Sequence, residues 1–277
     1  MSTQASAATL DDRALIILGG PDWRSFLQGL VTQDVETLKD GEARFSALLT
    51  PQGRLLYDLF LVGCGDDCLV DCAAAVRETL IRRLTMYRLR AKVTIEAAEM
   101  PVRALWGAAA APEGWAVDPR LPGLGWRGYG LEPPVDAAPA DAADYAAHVL
   151  ACGAPGPADW GVEQTYPVEA NFDLLGGIDF RKGCFVGQET TSRMKRRGTV
   201  KSRMAPVTFE GPAPEPGSEL LNGTLRAGEV LSGVDGRAMA SVRLDRLQGD
   251  LTLADGRPAR VDFPGWLQAA LAPADPG

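Results

Sequence analysis

EQTYPVEANFDLLGGIDFRKGCFVGQETTSRMKRRG, residues 163–198, is the stretch on which the fold of this chain turns. Tyr166 and Pro167 lead to Glu169 without helical character. Gly176 and Gly177 break the chain, and residues 178–180 (IDF) are predicted to be extended. Residues 187–197 have the composition of a helix, with Gly198 suited to the C′ position beyond its end. Cys184 therefore falls just before a predicted helix start, after Arg181, Lys182 and Gly183. Cations and a helix N-terminus both favour thiolate over thiol, which readies sulfur for attack or metal ligation. The alternative is an inert packing cysteine in a turn, and residue chemistry alone leaves the two level.

Upstream, 13–18 reads as a strand, and Asp22 as the N-cap of a helix through DWRSFLQGL. Residues 43–49, 54–63 and 68–72 are further strands. Val76, Leu80, Leu84 and Tyr87 recur at helical spacing and predict a helix over 74–90, followed by a strand at 92–97. Strand, hairpin, helix, strand is an α+β pattern of ferredoxin-like kind. Residues 107–141 read as loops and short strands, and 142–150 as a helix. Beyond the stiff segment 211–217, short strands near 225–231, 237–244, 251–253 and 259–263 surround Asp-Gly turns. These suggest a small antiparallel barrel.

At 277 residues, 46% of them hydrophobic and 23% charged, the chain suits two or three globular domains. No uncharged apolar run approaches the roughly 18 residues of a membrane span. No Lys or Arg precedes Arg13, so the start resembles neither a secretory signal nor an Arg-rich presequence, and a bacterial-type cytosol is expected. Five cysteines suggest reduced thiols. Cys64, Cys68 and Cys72, spaced by four, are a conceivable cluster triad, but CLVDC has the character of a buried strand. The single histidine, His148, reads as a plain helix residue. GLGWRG at 123–128 lacks the strand and helix of a dinucleotide loop, and no P-loop is present.

The net charge of −8 is uneven: residues 77–92 carry +5 and residues 181–203 carry +7. Two basic stretches in an acidic chain point to a local anionic ligand or to solvated helix faces.

KGCFVGQE at 182–189 resembles the K-G-C-[FY]-x-G-Q-E signature of the YgfZ family of folate-binding proteins. These are similar to the T-protein (aminomethyltransferase) of the glycine cleavage system. FLQGLVTQDV at 26–35, LLTPQGRLLYDL at 48–59, PVEANFDLLGGIDF at 167–180 and GEVLSGVDGRAMASVRL at 228–244 resemble family blocks in the same order. The resemblance includes mitochondrial relatives that assist [4Fe–4S] cluster maturation. It implies an α+β, three-domain T-protein-like ring around a folate-binding channel. The expected segments are a discontinuous folate-binding domain (1–42 plus 142–204), an inserted ferredoxin-like domain (43–141) and a C-terminal β-barrel (205–277).

The resemblance also implies roles. Lys182, Gly183, Cys184, Gly187, Gln188 and Glu189 carry the motif, with Cys184 as the working thiol. Glu169 matches a position where T-proteins hold the pterin by a carboxylate, beside Tyr166; a carboxylate can accept a fork of N–H bonds. Arg193, with Lys195, Arg196 and Arg197, suits folate's glutamate tail or an acidic partner. T-proteins carry an acidic pair where this chain has Tyr57-Asp58, so Asp58 is either functional or an outward strand residue. The expected protein is a monomeric, cytosolic accessory of iron–sulfur biogenesis that serves [4Fe–4S] enzymes, tRNA-modifying ones included. It would bind tetrahydrofolate and assembly partners or client enzymes, and share a cluster transiently. The competing readings are a tetrahydrofolate-dependent aminomethyl transferase using Asp58, and a tRNA-binding protein, for which weak binding is expected.

Overall fold

Strands that are apolar at successive positions over the first hundred residues build a sheet covered on both faces. The computed structural model describes residues 4–197 and 200–272; Gly198, expected to end a helix, lies outside them. After β1 (Ser6–Thr9) come β2 (Arg13–Gly19), α1 (Trp23–Gln28), β3 (Ala43–Leu49), β4 (Leu55–Cys64), β5 (Asp67–Ala73), α2 (Arg77–Arg88) and β6 (Thr94–Ala98). Strands β2 to β6 form one antiparallel sheet in the order β3-β4-β5-β2-β6. Trp23, Leu27, Leu80 and Leu84 of the two helices cover one face of it with Ile16, Leu18, Leu61 and Val70. Phe45, Ala47, Leu49 and Phe60 point the other way, into a second core with Val168, Phe172 and Phe185. Every residue from Leu55 to Gly63 is buried, which explains why β4 is apolar on both faces, Asp58 apart. Asp22 precedes α1 but does not cap it; its carboxylate accepts instead from the Lys92 N–H, 2.8 Å away.

A second sheet follows from β7 (Val102–Trp106), β8 (Ala116–Val117), β9 (Trp126–Tyr129) and β10 (Ala138–Ala140), with β1 between β10 and β7. Helix α3 (Ala142–Ala151) lies against it through Tyr145; Asp141 caps that helix in a box with Asp144. The segmentation expected from sequence places residues 1–42 apart from 43–141. The pairing runs across that line: β2 is hydrogen-bonded to β5 and β6, and β1 to β7 and β10.

Two helices, α4 (Pro157–Trp160) and α5 (Gln188–Arg197), lead to the C-terminal unit. There β11 (Ser202–Phe209), β12 (Glu219–Asn222), β13 (Leu225–Val234), β14 (Arg237–Arg243), β15 (Leu251–Leu253) and β16 (Pro258–Val261) close an antiparallel barrel. Asp235-Gly236 turns β13 into β14, with Gly236 at φ +80°, a conformation that glycine adopts freely. The barrel core is Val207, Leu220, Val230, Ala240 and Val242, closed by Leu267 of α6 (Gly265–Leu271).

Candidate functional site

The loop between residue 178 and the start of α5 is fastened at each end and open in the middle. Its backbone gives the Asp179 N–H to Thr32 O (3.0 Å) and the Val186 N–H to Gly29 O (3.2 Å). Between these, Lys182 turns inward. Its Nζ donates to Val31 O at 2.6 Å and Gln33 O at 2.8 Å, and the side chain is buried. Phe185 is buried in the core beneath. Gly187 sits at φ +81°, and a Cβ there would meet Thr50 O at 2.6 Å and Gly53 Cα at 2.9 Å, so only glycine fits. Helix α5 begins at Gln188, with Glu189 exposed in its first turn. What remains outside is Arg181, Gly183, with open space where a side chain would be, and Cys184, which is exposed.

This corrects one expectation. Lys182, read as a cation beside Cys184, is committed to two backbone carbonyls. Arg181 is the exposed cation there, its side chain 96% accessible and 3.8 Å from Asp179. Burial pulls the Lys182 ammonium down to about 8, against the raising effect of Asp34, Asp179 and Glu36. An unfolded lysine holds its proton to about 10.5, so between these values the unfolded state binds more protons. Stability should therefore rise as pH goes from 8 to 10.5, the penalty being full below pH 8. Urea unfolding at both ends of that window should show a rise that is smaller in Lys182→Met. An equal rise in the two proteins would contradict this assignment.

Asp58 does not stand free. It is buried and accepts from Arg13 Nη1 at 2.7 Å. Arg13 also donates to Asp71 at 2.7 Å, and Asp71 takes Arg127 at 3.0 Å. Arg120 pairs with Asp118 at 2.7 Å. Burial would raise the Asp118 carboxyl, but Arg120 and Arg127 hold it below the usual range. The Arg127 guanidinium lies over the Phe60 ring, 3.8 Å from its centre. Sequence reading missed this network, because its members are scattered from Arg13 to Arg127. The available signal was a charge within each apolar strand, such as Asp58 in LLYDLFLVG and Asp71 in CLVDC.

The network forms one wall of a cavity of about 390 Å³, where the two sheets, α3, α4 and the barrel strand β13 meet. Phe60, Tyr145 and the alanines of α3 supply apolar lining, and Asp12, Asp159 and Ser232 supply polar lining. Asp159 joins α4 to the barrel: it accepts from Gly156 N–H at 2.7 Å and from Ser232 Oγ at 2.5 Å. Burial raises its carboxyl pKa despite both bonds. Glu169, Tyr166 and Arg193 do not line this cavity. Glu169 is half-buried and accepts from the Tyr166 N–H at 3.2 Å, while the Tyr166 ring carries Arg54 at 4.6 Å. Arg193 is exposed on α5.

The other thiols have less to offer. Burial pushes Cys68 and Cys72 up to about 12, and both pack in the core beneath α2. Cys152 Sγ lies 3.7 Å from His148 Nε2, but that nitrogen is 2.8 Å from Gly123 O. A carbonyl only accepts, so Nε2 carries a proton and cannot serve Cys152 as a base. Among the described residues no group of three or more His, Cys, Asp and Glu could hold a metal ion. No described helix is long and apolar enough to cross a membrane.

Residues 201–269 match the family described as CAF17, C-terminal beta-barrel domain. The structure is similar to that of the glycine cleavage system aminomethyltransferase T from Bartonella henselae. The TM-score is 0.76 at 16% identity, over 96% of this chain and 87% of the other, a likeness of fold. In sequence the chain is 33% identical to the mitochondrial iron-sulfur cluster assembly factor IBA57 homolog of Pyricularia oryzae, over 97% of itself and 79% of that protein. It is 30% identical to the mitochondrial IBA57 of Homo sapiens, over 93% of itself and 84% of that protein. These matches overturn the expected cytosolic placement, since the relatives are mitochondrial by name. The residues before Arg13 do not decide a compartment. Matched at this level along most of its own length and most of theirs, the chain belongs to the IBA57 family of iron–sulfur cluster assembly factors.

Proposed function

We propose that this protein acts in iron–sulfur biogenesis by presenting Cys184 to a partner, in support of [4Fe–4S] enzymes, tRNA-modifying ones among them. The observation that carries this reading is the build of the 179–187 loop, fastened by Lys182 and both ends and open at Arg181, Gly183 and Cys184. A single thiolate cannot complete the usual set of four cluster ligands, so the others come from the partner. The cluster or its iron is then cargo, shared for the time of the encounter. In a strain lacking its own factor, the wild-type chain should restore [4Fe–4S] enzyme activities. Failure to restore them while the protein is expressed and folded would remove the reading.

We infer that the cavity holds a folate-class ligand. Its size lies within the range of small-molecule pockets, and its mixture of Phe60, the α3 alanines and the carboxylates Asp12 and Asp159 suits a flat, N–H-bearing ring. Those residues would bind and orient the ligand, which when bound supplies one-carbon chemistry. Asp58 lines the cavity but is held in an ion pair with Arg13, which leaves it little freedom to act as a transferase acid or base. Tetrahydrofolate should bind with micromolar or weaker affinity, about −8 kcal/mol or less negative. Ala146→Trp, which fills the cavity, should weaken it at least tenfold in calorimetry, about 1.4 kcal/mol. If Glu169→Ala weakens binding and Ala146→Trp does not, the ligand lies at Glu169.

A further inference from the structure

We infer that the face bearing Cys184 is a docking surface for an acidic protein, one whose carboxylates surround the atom that Cys184 engages. The inference rests on the reading that Cys184 meets a partner and names that partner's surface chemistry.

The observations are the exposed charges on the segment that carries the thiol and on the helix that follows it. Arg181, three residues before it, projects almost wholly into solvent. Helix α5 stands beside the same segment, since Lys195 Nζ lies 4.2 Å from the centre of the Phe180 ring. Arg193 and Arg196, one turn apart on α5, are exposed as well. Among the described residues no ion pair forms with Arg193, Lys195 or Arg196, and Glu189 is the sole acid between residues 180 and 196. Arg181 reaches only Asp179, at 3.8 Å, Lys195 lies over Phe180, and Arg193 and Arg196 form no ion pair among the described residues, in a chain that is acidic as a whole.

Such a patch raises the local concentration of anions and fixes the orientation of an encounter. It also suits the cargo, because a thiolate-ligated cluster is itself anionic. An RNA is the other polyanion to consider. Single-stranded recognition calls for exposed aromatic faces on which bases stack. Here Phe185 is buried and Phe180 is covered by Lys195, so the patch lacks that platform. An acidic protein edge fits better.

The test uses two synthetic peptides of equal length, one Glu-rich and one Lys-rich, each carrying a cysteine activated as a pyridyl disulfide. The Cys184 thiolate attacks the peptide sulfur, the pyridyl S–S bond breaks, and pyridinethione leaves with the electron pair. The new bond is a mixed disulfide, located at Cys184 by mass spectrometry. At low salt the Glu-rich peptide should react at least about tenfold faster, with the gap closing as salt shortens the Debye length. Lys195→Glu/Arg196→Glu should abolish or invert the gap, with circular dichroism as the folding check. Should that variant misfold, Arg181→Glu alone should still narrow the gap. Equal rates for both peptides, or a gap untouched by charge reversal, would overturn the inference. So would tRNA that shields Cys184 at physiological salt better than the Glu-rich peptide does. These rates are read on the purified chain, so their outcome stands apart from the restoration of enzyme activities in cells.

Discussion

Asp71→Ala is expected to destabilise the protein by about 3–5 kcal/mol, the cost of breaking a buried ion pair by removing one partner. Asp71 is fully buried in β5 and serves two guanidinium groups at once: Arg13 at 2.7 Å and Arg127 at 3.0 Å. Arg13 links it to Asp58, and Arg127 rests on Phe60, so one carboxylate ties β2, β4, β5 and β9 together. Its loss leaves buried Arg13 with Asp58 alone and buried Arg127 with only Asp118, 3.9 Å away. Asp58→Ala should cost less, because Arg13 would keep both Asp71 contacts. Urea unfolding measures the difference as a fall in midpoint at unchanged slope. A loss below about 1 kcal/mol would mean that solvent reaches these arginines and that the cavity wall is looser than described.

The sequence made the elements of the first sheet legible for a simple reason. Strands β2, β3, β4 and β5 are long apolar runs bounded by Gly, Pro and Asp, and α2 repeats its leucines at helical spacing. The barrel was half legible. Its Asp-Gly hairpins announce themselves, but β11 begins inside a basic stretch and contains Pro206, and β12 has four residues. β1, reading SAAT, has nothing to distinguish it from a tail until β7 and β10 pair with it. The pairing of β2 with β5 and β6 could not be read either, because register across more than fifty residues is set by tertiary contact rather than by local pattern.

The candidate site divides the same way. Gly187 and Cys184 were visible because a short motif places glycine and cysteine at fixed positions. Lys182 was visible as a residue, but its direction was not: the choice between pointing at the thiol and pointing at Val31 O depends on the turn at 29–33. The cavity left no local trace. Arg13, Asp159 and Ser232 come from three distant segments, and each is unremarkable until the fold brings them to one cavity.

The largest functional effect should come from one sulfur atom. Cys184→Ser removes the soft ligand while keeping size and exposure, so the Lys182 anchor and the packing of Phe185 are undisturbed. Its thermal midpoint should stay close to that of the wild type, since surface substitutions of this kind rarely cost more than about 0.5 kcal/mol. Cys64→Ser is the matched control, because Cys64 is also an exposed free thiol but lies at the end of β4, outside the motif loop. The decisive measurement is the activity of [4Fe–4S] enzymes in a strain lacking its own factor, complemented with each variant. The account predicts that Cys64→Ser restores activity like the wild type and that Cys184→Ser leaves it at the level of the uncomplemented strain. Full restoration by Cys184→Ser would make Cys184 a bystander and contradict the account.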